Sequence, residues 1–291
     1  MQRILITGAS GFLGTKLFTT LSQQYNVIGT YYQQKRPNLI RLDITNKEEV
    51  QHVIASQKPD VIIHTVALSD PDYCEEHPED TLKINFDGTK HIVEACRRNN
   101  VKLIYISTAG VFDGKHTPYR ETDPVCPINK YGESKAKTEK IVQTLPHYVI
   151  LRFDFLYGYN GPDGANGLIG KILTKKRIEA NPVQQRKPLF VDDVAAIISM
   201  IIKTDGTGIY HLAGPDTITK YELCKRLEEI LGVTGNVYPI EAVAQKAKRA
   251  EKSSLLTDRL AELGVVCTPI ATALRIIKKQ YALSEKNEIQ T

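Results

Sequence analysis

Short, almost wholly apolar runs recur between Ile4 and Arg152, and stretches with helical spacing separate them. Ile4 to Thr7, Asn26 to Tyr31, Asn38 to Asp43, Asp60 to Thr65, Lys102 to Ser107 and Tyr148 to Arg152 read as strands. Phe12 to Leu21, Lys47 to Ser56, Glu79 to Asn99 and Ile128 to Leu145 read as helices. A strand that is apolar on both sides must be covered on both sides, and helical crossovers between parallel strands supply that cover. The expected fold class is therefore α/β, a doubly wound parallel sheet.

After Arg152 the rhythm breaks. A loop rich in Gly, Asn and Pro, Tyr157 to Gly167, precedes helical stretches near Leu168 to Lys175, Asp193 to Thr204, Lys220 to Leu231, Leu256 to Leu263 and Ile270 to Tyr281, with a strand piece at Gly208 to Leu212. We divide the chain into residues 1–155, a nucleotide-binding sheet domain, and 156–291, a smaller and mostly helical lobe that returns some elements to the sheet. Ligands of open α/β sheets bind outside the carboxyl ends of the strands, so a lobe packed there would wall off a substrate cleft.

Composition removes several function classes. Of 291 residues, 42% are hydrophobic and 24% charged, values of an ordered globular chain. The net charge of +5 is scattered apart from short clusters such as Lys175 to Arg177, which argues against a nucleic-acid partner or a membrane surface. Five cysteines, odd in number and without a C-x-x-C pair, suggest neither a disulfide framework nor a zinc site, and no metal ligands are expected. His64 closes an apolar run without companion ligands and reads as a satisfied core or cofactor-side histidine. With no signal-like N-terminus and no run of about 18 apolar residues, the expected place is the cytoplasm.

The motif with the clearest physics is Gly8-Ala9-Ser10-Gly11-Phe12-Leu13-Gly14, which ends the first strand and opens the first helix. Its glycines permit a tight turn and let a pyrophosphate approach the N–H groups of a helix start. The second strand ends without the carboxylate that would bind a ribose 2′-hydroxyl. Lys35 and Arg36 follow instead and suit a 2′-phosphate, or else belong to a solvated loop. Asp43, with Ile44 beside it, closes the third strand and either meets an adenine or caps the next helix. Thr65-Val66-Ala67 ends the fourth strand, where small residues would pass close to a cofactor.

Ser107-Thr108 ends a further strand, and Tyr131-Gly132-Glu133-Ser134-Lys135 lies 23 residues beyond Thr108. Tyr131 and Lys135 are i and i+4, so a helix puts them on one face. An ammonium there is expected to lower the phenol pKa and make Tyr131 a usable proton donor or acceptor near neutrality, with Thr108 able to bond the same carbonyl. An exposed helix pair is the competing reading. Arg186, within Gln184 to Lys187, either meets a substrate diphosphate bidentately or is an exposed loop charge.

These residues resemble the extended short-chain dehydrogenase/reductases through TGASGFLG (Thr7 to Gly14), LDIT (Leu42 to Thr45), Asn85 in NFDGT, STAGVFDG (Ser107 to Gly114), YGESK and LRFDFLYG (Leu151 to Gly158). Within that superfamily the chain is similar to the dTDP-4-dehydrorhamnose reductases and to the NADP-binding regulatory β subunits of methionine adenosyltransferase. VFDG, PYRETDPVCPINKYGESK, QQRKPLFVDDVA and RAEKSSLLTDRLAELG carry this finer match. The resemblance implies a Rossmann-like sheet with a C-terminal substrate lobe and NADP(H) as cofactor, NAD(H) being the alternative. It implies Tyr131 as general acid, Lys135 as its electrostatic partner and ribose ligand, and Thr108 as carbonyl orienter. Gly8, Ser10, Gly11, Phe12, Leu13 and Gly14 would surround the pyrophosphate, Asp43 and Ile44 the adenine, and Val66, Ala67 and Leu68 the inner ribose, while Phe155 would face the sugar.

Three departures bear on the substrate. Ala109-Gly110 stands where the reductases carry Asp-Tyr, Arg249-Ala250 replaces an Arg-Pro pair, and His64-Thr65-Val66-Ala67 replaces an Asn followed by alanines. The expected activity is NADPH-dependent reduction of a 4-keto-6-deoxy nucleotide sugar by a monomer or homodimer. The alternatives are a regulatory subunit that holds NADP beside a methionine adenosyltransferase catalytic subunit, and an epimerase with resident NAD, against which Lys35-Arg36 argues.

Overall fold

Parallel pairing of the apolar runs builds one sheet of seven strands in the computed structural model, which describes residues 1–161, 167–240 and 245–289. The loop read from Tyr157 to Gly167 lies partly outside the described residues. In chain order the first part contains β1 (Arg3–Thr7), α1 (Phe12–Leu21), β2 (Asn26–Tyr31), β3 (Leu39–Arg41), α2 (Lys47–Gln57), β4 (Val61–His64), α3 (Pro71–Glu76) and α4 (Pro78–Thr81). A π-helical turn, Leu82–Gly88, runs into α5 (Thr89–Asn99), followed by β5 (Lys102–Ile106), a 3-10 turn (Ala109–Val111), α6 (Lys130–Val142) and β6 (Tyr148–Arg152). The second part contains β7 (Leu156–Tyr157), α7 (Leu168–Leu173), β8 (Ile178–Ala180), β9 (Gln185–Arg186), β10 (Leu189–Phe190), α8 (Val191–Lys203) and β11 (Gly208–His211). It ends with β12 (Ile218–Thr219), α9 (Lys220–Leu231), β13 (Val237–Pro239), α10 (Asp258–Glu262) and α11 (Ile270–Ile289).

The strand order is β3-β2-β1-β4-β5-β6-β11, every pairing parallel, so β11 from the second part closes one edge. Alternation along each strand feeds two cores. Ile4, Ile6, Val61, Ile63, Ile104, Val149 and Leu151 pack with Leu13, Leu17 and Leu21 of α1 and with the apolar face of α8. Leu5, Ile62, Leu103, Tyr105 and Ile150 point the other way, against α2, α5 and the end of α6. Helices on both faces make the sheet doubly wound, and the chain reverses direction between β1 and β4, where a crevice opens at the strands' carboxyl ends.

The lobe has its own core. Tyr157, Phe190, Ile169, Ile172, Leu223, Leu227 and Ile277 gather α7, α9 and α11 around the short ladders β7–β10, β9–β12 and β8–β13. It carries more strand than the mostly helical expectation. Among the described residues no helix is long and apolar enough to cross a membrane.

Two elements differ from the sequence reading. The helical stretch from Glu79 to Asn99 is interrupted by the π turn. There the Asn85 carbonyl takes hydroxyl hydrogen bonds from Thr89 at 2.7 Å and from Thr138 of α6 at 3.1 Å, while the Asn85 amide group is drawn to Leu68 and Ser134. Tertiary partners on α6 thus hold a winding that local spacing does not favour. The other is α3, for which Asp70 caps the N-terminus and Pro71 occupies its first position, a start signal that the sequence reading passed over.

Candidate active site

Gly8 leaves β1 with φ +75°, and a Cβ there would lie 2.9 Å from Val66 Cγ2 and 3.0 Å from Thr65 Oγ1. Only glycine combines that backbone with so close a neighbour. At Gly14 a Cβ would stand 2.1 Å from the Gly8 carbonyl oxygen, so the turn folds directly onto α1. Gly11 is the N-cap of α1, and no side chain caps that helix, which leaves first-turn N–H groups of Phe12, Leu13 and Gly14 for an anion. Ser10 sits in the same turn.

Around this turn lie the other residues expected to hold a dinucleotide. Lys35 and Arg36 line a cleft of about 480 Å³ together with Ala9, Thr15, Phe18, Gln34, Pro37 and Leu39. The cleft adjoins the glycine turn, not Tyr131. Asp43 does not cap α2. Asn46 does, accepting from the Glu49 amide at 3.0 Å, while Asp43 Oδ1 takes the Thr45 amide at 2.9 Å and the Thr45 hydroxyl at 2.7 Å. Burial pushes the Asp43 carboxyl up, but the two Thr45 bonds together with Tyr32 and the charge of Arg41 outweigh it and leave the group below its ordinary value. Ile44 is buried beside Gly88. The strand end Val66-Ala67-Leu68 is fixed by Asn85, whose Oδ1 accepts from the Leu68 amide at 2.8 Å and whose Nδ2 donates to the Leu68 carbonyl at 3.0 Å.

His64 stands between two threonines, with Nδ1 2.6 Å from Thr7 Oγ1 and Nε2 3.0 Å from Thr89 Oγ1. Because the Thr89 hydroxyl donates to the Asn85 carbonyl, Nε2 carries the ring proton and Nδ1 accepts from Thr7. Burial, then the charge of Lys135, holds this imidazole down to about 3. It is a satisfied core histidine.

Thr108, Tyr131 and Lys135 come together in one site. Thr108 follows β5, and its hydroxyl accepts from the Gly110 amide at 3.0 Å, with the Tyr131 ring on the other side of Gly110. Asn129 caps α6 by accepting from the Gly132 amide at 2.8 Å, and a Cβ at Gly132 would lie 2.2 Å from the Gly110 carbonyl oxygen. That close approach seats the first turn of α6 on the segment after β5 and so brings Tyr131 to Thr108. One turn on, the Lys135 ammonium donates to the Ile106 carbonyl at 2.5 Å and lies 4.2 Å over the Tyr105 ring. Since β4 separates β1 from β5, this cluster lies about 10 Å across the sheet from the glycine turn.

The expectation that Lys135 lowers the phenol pKa does not hold. Burial pushes Tyr131 up to about 12 and the nearby Thr108 hydroxyl offsets only part, while burial pulls Lys135 down to about 7 against the opposing charge of Glu139. At neutral pH the phenol is a proton donor, not a base.

Two groups escaped the sequence reading. Asn85 ties the end of β4 to α6 through its bond to Ser134 Oγ at 3.1 Å, and no local pattern marks the π turn that aims it. Glu139, four positions after Lys135, is gripped by Arg152 at 2.6 and 2.9 Å and receives the Ser107 hydroxyl at 2.5 Å. An arginine closing an otherwise apolar strand, with an i+4 carboxylate on the next helix, was the available signal.

On the lobe side, Phe155 is half-buried against the lobe core. Arg186 is neither an exposed loop charge nor poised for a diphosphate. Its guanidinium donates to the carbonyls of Gln185 at 2.8 Å, Ala250 at 2.7 Å and Glu251 at 3.3 Å, and Nε lies 3.3 Å from Asp154 Oδ2. Most of its donors are thus already committed within the protein.

A protein from Bos taurus named methionine adenosyltransferase 2 subunit beta is 29% identical over 277 residues, 91% of this chain and 83% of its own length. A dTDP-4-dehydrorhamnose reductase from Aggregatibacter actinomycetemcomitans is 32% identical over 256 residues, 84% of this chain and 81% of its own. The crystal structure of dTDP-4-dehydrorhamnose reductase from Bacillus anthracis in complex with NADP superposes with a TM-score of 0.83 at 28% identity, covering 96% of this chain and all of that one. The RmlD substrate binding domain model matches residues 1–282, and the chain belongs to that family, within the extended short-chain dehydrogenase/reductases.

Proposed function

We propose that this protein is an NADPH-dependent reductase of a 4-keto-6-deoxy nucleotide sugar, of the dTDP-4-dehydrorhamnose reductase kind. The observation that carries the reading is the placement of Thr108 and Tyr131 together around Gly110, where a Cβ would lie 3.3 Å from Thr108 Oγ1 and 3.9 Å from the Tyr131 ring, with Lys135 one helical turn away and the uncapped start of α1 across β4. The residues fit a dinucleotide, because the first-turn N–H groups of α1 carry no side-chain cap and Gly11, where a Cβ would meet only the Gly8 carbonyl at 3.3 Å, leaves the approach to them open. Gly8, Ser10, Gly11, Phe12, Leu13 and Gly14 would hold its pyrophosphate, Lys35 and Arg36 a 2′-phosphate, Asp43 and Ile44 the adenine, and Val66, Ala67 and Leu68 the inner ribose. When bound, the reduced nicotinamide supplies the hydride that the carbonyl carbon receives.

The chain's own part is protonation and charge. Tyr131, a neutral phenol at pH 7, donates its proton to the carbonyl oxygen, and the Thr108 hydroxyl orients that oxygen. The ammonium of Lys135 stabilises the negative charge that develops there, at a site dry enough to strengthen the interaction. Phe155 offers an apolar surface to the sugar. Loss of NADPH absorbance on addition of dTDP-, UDP- and GDP-4-keto sugars tests the reading. Turnover with a dTDP-4-keto sugar supports it, and oxidation of NADPH with none of them overturns it.

A second reading rests on Gly110, where a Cβ would lie 3.9 Å from the Tyr131 ring, so no side chain fills the space beside the phenol. In that reading the protein holds NADP without turnover and regulates a methionine adenosyltransferase catalytic subunit. Retention of such a subunit in a pull-down, together with an inert sugar panel, would select it.

A further inference from the structure

Lys135 carries its charge in a dry place. It is 2% exposed, and among the described residues it makes no ion pair. Two contacts hold the ammonium instead: it donates to the Ile106 carbonyl at 2.5 Å and lies 4.2 Å over the Tyr105 ring. The titratable groups around it are Tyr131 and Glu139 of its own helix, Cys74 of α3, His64 of β4 and Tyr105 of β5. Burial keeps the phenols and the thiol protonated and the imidazole uncharged. The Glu139 carboxylate is already taken up by Arg152 and Ser107. A buried cation without a counter-charge of its own is costly, and the face of an aromatic ring offsets that cost most where water is excluded.

The core alone does not ask for a tyrosine at this position. On the same face of the sheet Leu103, Ile62 and Ile150 fill the neighbouring places with aliphatic side chains. The Tyr105 hydroxyl is closed to solvent and reaches no hydrogen-bond partner among the described residues, so it adds a cost and no bond. The part of the side chain that has a partner is the ring. His64, opposite Tyr105 in the β4–β5 register, stacks on it with centroids 6.1 Å apart and planes 21° apart. As a neutral imidazole it brings no second cation to the ring. Ring and carbonyl come from consecutive residues of β5, the strand that delivers Thr108 to the site. One strand end thus fixes both the Thr108 hydroxyl and the ammonium.

We propose that Tyr105 is a positioning residue for Lys135: its ring face seats the ammonium beside the Ile106 carbonyl and holds the amine charged where the reduced carbonyl oxygen gathers negative charge. The effect on turnover rests on the reductase reading, while the seating itself is a property of the protein alone. Without the ring, less opposes the desolvation of the amine, and its pKa of about 7 falls further. The charged form is the one that stabilises the alkoxide, so activity fades as pH rises through that value. Loss of the ring face moves the fade to lower pH.

Titration of the Lys135 side chain by carbon NMR of lysine-labelled protein reads the seating without turnover, the signal being assigned by its loss in Lys135→Met. Tyr105→Phe keeps the ring face and is expected to keep the midpoint. Tyr105→Leu is expected to lower it by about one pH unit, with the alkaline limb of kcat/KM following. A pentafluorophenyl side chain at position 105 keeps the shape of the ring and reverses its quadrupole, so it should lower the midpoint likewise even if the leucine variant fails to fold. A midpoint unchanged by the fluorinated ring overturns the proposal, as does one lowered as much by Tyr105→Phe. A midpoint that falls while the kcat/KM limb of an active protein stays in place also overturns it. Oxidation of no NADPH at any pH would remove the reductase reading alone, and the NMR titration would still decide whether the ring seats the ammonium.

Discussion

Arg152 grips Glu139 with two hydrogen bonds, Nε to Oε1 at 2.9 Å and Nη2 to Oε2 at 2.6 Å, and both side chains are almost wholly withdrawn from solvent. The pair joins the end of β6 to α6 one turn beyond Lys135, so the helix that carries Tyr131 is anchored to the sheet by a buried charge. Arg152→Met would leave Glu139 uncompensated and is expected to destabilise the fold by about 3 to 5 kcal/mol. Glu139→Leu combined with Arg152→Met should recover much of that loss, because the desolvation cost disappears with the charges. Urea unfolding midpoints of the two variants check both expectations.

Tyr131→Phe keeps the ring and removes the proton that must reach the carbonyl oxygen. Catalytic turnover is expected to fall by about 10²- to 10⁴-fold with NADPH affinity little changed. Steady-state kinetics beside a fluorescence titration of NADPH measure the two quantities separately, and a variant with undiminished kcat would remove Tyr131 from the chemistry.

Lys35 and Arg36 line the cleft next to the glycine turn, where charge-assisted hydrogen bonds can reach a 2′-phosphate that NADH lacks. NADPH is expected to bind about 10- to 100-fold more tightly than NADH, and Lys35→Ala with Arg36→Ala should erase the difference. Equal affinities in the unmodified protein would show that these two residues do not read the phosphate.

Two glycines of the turn should fail in different ways. At Gly11 a Cβ meets only the Gly8 carbonyl, at 3.3 Å, so Gly11→Val is expected to fold and to lose the dinucleotide, whose approach the branched side chain blocks. At Gly14 the same oxygen would be 2.1 Å away, and Gly14→Ala should lose about 1 to 3 kcal/mol of stability through overpacking. Thermal unfolding and NADPH titration of both variants separate the two effects.

His64 and His211 make stability depend on pH. Burial holds both below the ordinary value, His64 at about 3 with help from Lys135 and His211 at about 4 with help from Arg152. The unfolded chain binds protons near pH 6.5 that the native sites refuse. Their contribution is therefore whole above pH 6.5 and is lost as pH falls toward 4 and then 3. Between pH 7 and pH 5 each should remove up to about 2 kcal/mol. Urea midpoints should drop over that interval, and His211→Asn should show a shallower slope even though it is less stable at pH 7.

What the sequence by itself determined is what is local in the chain. Runs apolar on both faces demanded a covered parallel sheet, seven residues from Gly8 to Gly14 demanded a turn onto a helix start, and the four-residue step from Tyr131 to Lys135 put both on one helical face. Those properties follow from backbone geometry and periodicity, which a linear string displays. The tertiary structure alone decided the rest. Asn85 meets Ser134 across 49 positions and thereby selects a π turn over a regular helix, and Arg152 finds Glu139 only once β6 and α6 are packed. Arg186 spends its donors on carbonyls of a segment 64 and 65 positions away, which spacing could not reveal. The pKa of Tyr131 moved opposite to the expectation for the same reason: a neighbouring charge can be read from spacing, but the loss of water around the phenol exists only in the folded protein, and there it is the larger effect.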